Sequence, residues 1–321
     1  MTTRDFNKVG FIGLGAMGKH MVEHLATNLP NESRIFVYDI SSAPIDDLVS
    51  RYPGKVIRSV SPKDVTENST IMLSMVPEGK HVNSVYLTPE TGVTAAPLHN
   101  KLLIDCSTID IATSLSVRNY IATHHPTTSF YDAPVSGGTL GAKAGTIAFF
   151  LGCAVTDENL PCMSKLLRLM GTKMIPCGGP GSGLAAKLCN NYLSGLIAIA
   201  SSESLNMGIR AGLDPRVLND VIGAGTAANA ICADYNPCPG VVTKAPASKG
   251  YEGGFKVELM KKDFGLAVEL ATGVGANLVL GEKALETYTA AAEDPNCRGR
   301  DSRVVYRFIG GDEKWRARFG G

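Results

Sequence analysis

The chain has no surplus of charge of either sign: 31 basic residues stand against 30 acidic ones among 321, a formal net charge of +1. Without a basic excess there is no electrostatic case for a nucleic-acid partner, and without a charge block there is none for an interaction tail. No apolar run approaches the roughly 20 residues that span a bilayer; the longest soft stretch, Leu193–Ala200, is too short. The opening Met1–Lys8 is mixed in charge and has neither the apolar core of a signal peptide nor the Arg-rich pattern of a transit peptide. The eight cysteines include no C-x-x-C pair, and the six histidines are scattered without ligand spacing, so no metal site is expected. Cysteines inside apolar strings, such as Cys106 and Cys189, read as buried free thiols in a reducing compartment. Tryptophan is almost absent: the single one, Trp315, lies in the C-terminal tail. No internal repeat or low-complexity tract appears.

What is present suffices for two domains. Domains run to roughly 100–200 residues, and 44% of this chain is hydrophobic, enough for sizeable cores. In the first half, short apolar runs alternate with helical patterns. Strands are expected at Val9–Leu14, Ile35–Tyr38, Ile71–Val76, Leu102–Asp105, Phe130–Ala133 and Ala148–Leu151, with a helix over Met17–Asn28. Ser61-Pro62 has the form of a helix start, an N-cap followed by proline at the first helical position. Such alternation argues for a largely parallel sheet covered on both faces.

The character changes after Cys177. The glycine-rich cluster at 178–183 breaks regular structure, and Leu184–Ala211 then runs without proline as one helical pattern, roughly 40 Å long at 1.5 Å per residue. It is apolar on most sides through Ile199, as expected of a helix buried between other elements. Further helices are expected at Pro215–Ile222, Val257–Thr272, Gly281–Ala292 and Ser302–Phe308. Tyr235–Phe255 has three prolines, four glycines and no periodicity; so long a loop in a compact domain is usually functional or disordered. The expected architecture is an α/β N-terminal domain with a mostly parallel sheet over 1–180 and an all-α domain over 181–321, joined by the long helix.

Gly13-Leu14-Gly15-Ala16-Met17-Gly18 is a G-x-G-x-x-G run that follows the first apolar strand and opens a helical pattern. In a Rossmann fold the first glycine allows the tight turn, the second lets a pyrophosphate approach the backbone, and the third permits close helix–strand packing. Asp39 ends the second strand, where an acid accepts hydrogen bonds from ribose hydroxyls and repels a 2′-phosphate. No arginine follows in Ile40-Ser41-Ser42, which favours NAD over NADP. The same residues are also compatible with a plain glycine turn and a simple helix cap.

Asp132-Ala133-Pro134-Val135-Ser136-Gly137-Gly138 leaves a strand and turns at two glycines, and a hydroxyl beside bare amides can cradle a carboxylate. Taken alone it is also an ordinary strand-to-helix turn. Lys187 stands early in the long helix with Asn191 one turn later on the same face. A lysine on an otherwise apolar helix start either reaches the surface along its stem or is desolvated, which would suit it to acid–base work near neutral pH. Lys261-Lys262-Asp263, on a later helix, reads alone as a solvated charged face.

Together these segments resemble the β-hydroxyacid dehydrogenase family, and within it the 3-hydroxyisobutyrate dehydrogenases. The resemblance covers nearly the whole chain: GFIGLGAMGKHM at 10–21, DCSTID at 105–110, DAPVSGGTLGAKAGT at 132–146, GSGLAAKLCNN at 181–191 and KKDFGLA at 261–267, all in family order. YNPCPGV at 235–241 and PASKGYEGGF at 246–255 resemble a loop of the narrower group. The resemblance implies NAD-dependent oxidation of a short 3-hydroxy acid to its semialdehyde, within valine breakdown, with Lys187 as general acid/base; a sibling enzyme acting on tartronate semialdehyde, glyoxylate or succinic semialdehyde would share every motif, and a dinucleotide-binding sensor without turnover is the alternative from another class. It further implies that Ser136, Gly137, Gly138 and Asn191 hold the substrate and that Val76, Pro77 and Thr108 line the nicotinamide side. Lys262 would reach the cofactor, and Asp263 would support the substrate site. A homodimer or homotetramer is implied, with no partner beyond a small hydroxy acid. The compartment implied is the mitochondrial matrix in a eukaryote and the cytoplasm otherwise. The chain departs from the family pattern at Gly225–Cys232, which lacks the usual tryptophan and an upstream arginine, and at His81, where an asparagine is usual.

Overall fold

The computed structural model describes residues 5–320. These fall into two compact units that divide between Lys187 and Leu188, inside the long helix.

The first unit runs β1 (Lys8–Ile12), α1 (Gly18–Asn28), β2 (Arg34–Tyr38), α2 (Ser42–Arg51), β3 (Val56–Arg58), α3 (Pro62–Glu67), β4 (Ile71–Ser74) and α4 (Gly79–Leu87). It continues with β5 (Leu102–Asp105), α5 (Ile111–His124), β6 (Ser129–Asp132), β7 (Val135–Ser136), α6 (Gly138–Ala144), β8 (Ile147–Leu151), α7 (Leu160–Leu167) and β9 (Gly171–Pro176). Six strands form one all-parallel sheet in the order β3-β2-β1-β4-β5-β6. β4 and β5 are buried at every residue, as expected of central parallel strands covered on both faces. Alternate residues feed two apolar clusters: Val9, Phe11, Ile71, Leu73, Leu102 and Ile104 enter one, while Ile12, Met72 and Leu103 enter the other. The strand order reverses between β1 and β4, the switch point where such sheets bind dinucleotides.

Local chemistry explains much of this. The Ser61 Oγ accepts the Asp64 amide at 3.1 Å and Pro62 opens α3, as its sequence predicts. The strand at 147–151 does not join the main sheet. β8 pairs antiparallel with β7 and parallel with β9, making a separate three-stranded sheet. β3, β7 and β9 escape sequence reading because they are short or largely exposed edge segments without a sustained apolar period.

α8 (Ser182–Arg210) is a single helix of 29 residues. It is less enclosed than its composition suggests: Leu193 is 58% exposed and Met207 69%, on one outward stripe with Cys189 and Ala200. The expectation of buried thiols holds for Cys106, Cys153, Cys232, Cys238 and Cys297 and fails for Cys189, which is exposed.

The second unit contains the remainder of α8, then α9 (Pro215–Ala224), α10 (Ala230–Asp234), α11 (Val257–Val274), α12 (Gly281–Glu293), α13 (Val305–Phe308) and α14 (Arg316–Phe319). Its main core packs Met260 and Phe264 against Tyr288 and Val305. The 235–255 loop is anchored by hydrogen bonds. Tyr251 donates its hydroxyl to the Pro237 carbonyl at 2.9 Å, and the Phe255 amide donates to Asp301 Oδ2 at 2.8 Å. Trp315, 1% exposed, donates its indole N–H to the Pro239 carbonyl at 2.8 Å. The tail tryptophan thus anchors the loop, while Asn229 caps α10 in the stretch that lacks one. Among the described residues no helix is long and apolar enough to cross a membrane.

Candidate active site

The glycine-rich loop joins β1 to α1, and its three glycines meet different surroundings. Gly13 adopts φ +94°, and a Cβ there would lie 2.2 Å from the Met75 carbonyl oxygen. A Cβ on Gly18 would lie 2.0 Å from the Gly13 carbonyl oxygen. A Cβ on Gly15 would meet nothing within 4 Å. The first and third glycines are therefore needed by the fold, whereas the second leaves bare backbone facing open space, as a pyrophosphate requires. Leu14 turns into the core, while Gly15 and Ala16 are exposed and Met17 is half-buried.

Asp39 stands just beyond the end of β2, half-buried. Its Oδ2 accepts the Leu14 amide at 2.6 Å and its Oδ1 accepts the Ser41 amide at 2.8 Å. One carboxylate thus ties the glycine loop to the start of α2. The cap and ribose readings of Asp39 are compatible, since each oxygen has a second lone pair.

Val76 and Pro77 follow β4, and Thr108 follows β5, on neighbouring loops at the same end of the sheet. The Val76 amide donates to Ser107 Oγ at 2.9 Å, and that hydroxyl donates to Asp105 Oδ1 at 2.7 Å. Ser74 Oγ donates to the same oxygen at 2.7 Å and pairs with the Tyr86 hydroxyl at 2.9 Å. Burial pushes the Asp105 carboxyl up to about 6, against the lowering effect of the serine hydrogen bonds. His81 lies in the first turn of α4, and its Nδ1 is buried without a hydrogen-bond partner among the described residues.

Ser136 ends β7, half-buried, and Gly137 and Gly138 both take positive φ, +130° and +60°. A Cβ on Gly138 would meet nothing within 4 Å, so its backbone faces open space. Consecutive glycines of this kind present amides that a side chain would otherwise screen.

Lys187 lies in the second turn of α8 and is only 7% exposed. Asn191, one turn on, is 6% exposed, and its Nδ2 donates to Asp263 Oδ2 at 2.6 Å. Asp263, buried on α11, also has its Oδ1 3.1 Å from Lys262 Nζ. The acid therefore fixes the Asn191 amide with its oxygen turned the other way, where it accepts from Asn190 Nδ2 at 3.1 Å. Among the described residues no group of three or more His, Cys, Asp or Glu could hold a metal.

Two acids had no role in the sequence reading beyond membership of a motif. Asp105 organises the loops after β4 and β5. Asp132 accepts the Gly181 amide on Oδ1 at 2.8 Å and the Leu184 amide on Oδ2 at 3.0 Å. The available signal was an acid closing an apolar strand, a place where solvation is poor and a partner is required.

Comparison with known proteins places this arrangement. Residues 8–179 match the family model described as the NAD binding domain of 6-phosphogluconate dehydrogenase. Residues 181–309 match the one described as NAD-binding of NADP-dependent 3-hydroxyisobutyrate dehydrogenase. A Dictyostelium discoideum relative named "Probable 3-hydroxyisobutyrate dehydrogenase, mitochondrial" is 39% identical, over 96% of this chain and 92% of its own. A Pseudomonas aeruginosa relative named "NAD-dependent L-serine dehydrogenase" is 35% identical, over 94% and 97%. The solved structure of a Mycobacterium tuberculosis 3-hydroxyisobutyrate dehydrogenase with L-serine superposes with a TM-score of 0.84 at 30% identity, covering 96% of this chain and all of that one. With its glycine-rich dinucleotide loop and full-length kinship to these enzymes, the chain belongs to the 3-hydroxyisobutyrate dehydrogenase family and is an NAD-dependent hydroxyacid oxidoreductase.

Proposed function

We propose that the protein oxidises 3-hydroxyisobutyrate, or a closely similar short 3-hydroxy acid, reversibly to its semialdehyde, with Lys187 as the general acid/base. The observation that carries this reading is the buried position of Lys187, 7% exposed in the second turn of α8, in the unit that also holds the Ser136–Gly138 turn. The Ser136 hydroxyl and the amides of Gly137 and Gly138 receive the substrate carboxylate. Lys187 Nζ takes the hydroxyl proton in oxidation and returns it in reduction. Asn191 holds the hydroxyl-bearing end, and Asp263, acting through Asn191, keeps that amide oriented. Bound NAD would supply the hydride acceptor for the carbon that carries the hydroxyl. The bare backbone at Gly15 and the acceptor at Asp39 suit the pyrophosphate and adenosine ribose. Val76, Pro77 and Thr108 flank the nicotinamide, and Lys262 contributes from α11.

A second reading has specific support. The 35% identical relative is named an L-serine dehydrogenase, and the M. tuberculosis structure was solved with L-serine. Serine is itself a 3-hydroxy acid, so the same cradle and lysine would serve it. The family resemblance implies a homodimer or homotetramer, and the name of the D. discoideum relative supports a mitochondrial compartment in a eukaryote.

Lys187→Ala tests the chemistry. Turnover should fall about 10²–10⁴-fold, the usual weight of a general acid/base, while NADH still binds. Near-normal turnover would reject the assignment.

A further inference from the structure

We propose that Asp132 is a positioning residue for the reaction: its carboxylate caps the start of α8 and so fixes Lys187 relative to the Ser136–Gly138 turn. The inference rests on the reading of Lys187 given above.

Asp132 closes β6, four residues before Ser136 in the chain. Its two oxygens are spent on two different amides of the α8 start, Gly181 at 2.8 Å and Leu184 at 3.0 Å. Gly181 immediately precedes the helix and Leu184 is its third residue. These are donors that a helix cannot satisfy internally, and in most helices a neighbouring Ser, Thr, Asn or Asp supplies the acceptor. Here the cap comes from about fifty residues away, from the strand that leads into the substrate turn. The link therefore runs from β6 through one buried side chain, 3% exposed, to the helix that carries Lys187 three residues beyond Leu184.

The surrounding glycines are shaped for this carboxylate. A Cβ on Gly152 would lie 1.9 Å from Asp132 Oδ1. A Cβ on Gly183 would lie 2.9 Å from Asp132 Oδ2 and 2.3 Å from the Phe150 carbonyl oxygen. The side chain sits in a notch that exists only because both positions lack side chains. This gives a physical reason for the glycine–x–glycine step at 181–183 just before the lysine. The Asp132 charge is felt by Asp105, Cys153 and Cys177, and the Gly181 and Leu184 amides are hydrogen-bond partners that fix its carboxylate.

The test is Asp132→Asn, which keeps the shape but replaces one acceptor oxygen with a donor that faces an amide. A displacement of about 1 Å at a reacting group can cost roughly 10²-fold in rate. The expected result is a kcat about 10–100-fold lower, with KM for NAD and NADH binding by fluorescence changed less than about twofold. Unchanged kcat, or a loss carried by KM for NAD, overturns the proposal. Lys187→Ala assayed in parallel separates the two claims. Normal turnover there removes the lysine reading itself, whereas an inactive Lys187→Ala beside a fully active Asp132→Asn removes only the role of Asp132. Should the Asn variant fail to fold, amide exchange in the unaltered enzyme decides. Gly181 and Leu184 amides should exchange as slowly as those inside α8, and rapid exchange at both would refute the cap.

Discussion

Replacing Asp39 by serine tests how the cofactor is chosen. The carboxylate takes two backbone amides, Leu14 at 2.6 Å and Ser41 at 2.8 Å, and stands half-buried beyond β2. A 2′-phosphate carries roughly −1.5 to −2 charges near neutral pH. At about 5 Å from Asp39 it would be repelled by roughly 1–7 kcal/mol, for effective dielectric constants from 80 down to 20. Partial exposure and salt favour the lower part of that range, about 1–3 kcal/mol, or roughly 5–150-fold in affinity. The substitution also removes charge-assisted hydrogen bonds to the glycine loop and the acceptor for the ribose hydroxyls, each worth about 1.5–3 kcal/mol. Asp39→Ser should therefore lower kcat/KM with NAD about 10–100-fold and raise it modestly with NADP, narrowing the preference by roughly two orders of magnitude. The assay is initial-rate NADH or NADPH formation at fixed ionic strength. The outcome is open to contradiction, since the family model matched by residues 181–309 is described from an NADP-dependent enzyme. A native preference for NADP, or an unchanged ratio in the variant, would refute the argument.

Three further substitutions probe the scaffold and the glycine loop. Burial raises the Asp105 carboxyl from 3.8 to about 6, so the folded state holds this proton more tightly than the unfolded chain. Stability is then unaffected well below pH 3.8, declines as pH rises between 3.8 and 6, and stays reduced above. The shift corresponds to at most about 3 kcal/mol. Asp105→Asn, whose oxygen can still accept from Ser74 and Ser107, should match the native protein in urea unfolding at pH 4 and equal or exceed its stability at pH 8. A variant less stable only at pH 8 would contradict the sign. In the glycine loop, Gly13→Ala forces a Cβ to 2.2 Å from the Met75 carbonyl at φ +94° and should cost at least about 1–3 kcal/mol in stability. Gly15→Ala meets nothing within 4 Å, so its melting temperature should hold while KM for NAD rises. Equal melting losses in the two variants would remove the distinction between them.

The dinucleotide half was legible because its signals are local. β1, β2, β4 and β5 are apolar runs, Gly13–Gly18 follows directly on β1, and Ser61-Pro62 carries its cap within four residues. Lys187 and Asn191 also read correctly as neighbours on one helix, since their spacing settles that. The rest depends on distance along the chain. Nothing near Gly181 announces that its cap is Asp132, or that Trp315 anchors the loop at Pro239. β8 reads as a strand but its sheet does not, because period and composition do not say which sheet a strand joins, and β9 carries no strand signal of its own. The outward stripe of α8, with Leu193 and Met207, misled in the same way: apolar residues suggest burial, and one chain alone leaves these exposed.

The proposed function places oxidation of a short 3-hydroxy acid at Lys187, with NAD as cofactor. The most direct measurement is steady-state NADH formation across 3-hydroxyisobutyrate, L-serine, 3-hydroxypropionate, glycerate and 4-hydroxybutyrate. The highest kcat/KM is expected for 3-hydroxyisobutyrate, with rates near background for every acid in Lys187→Ala. A preference for 4-hydroxybutyrate, or no NADH from any of the five, would contradict it.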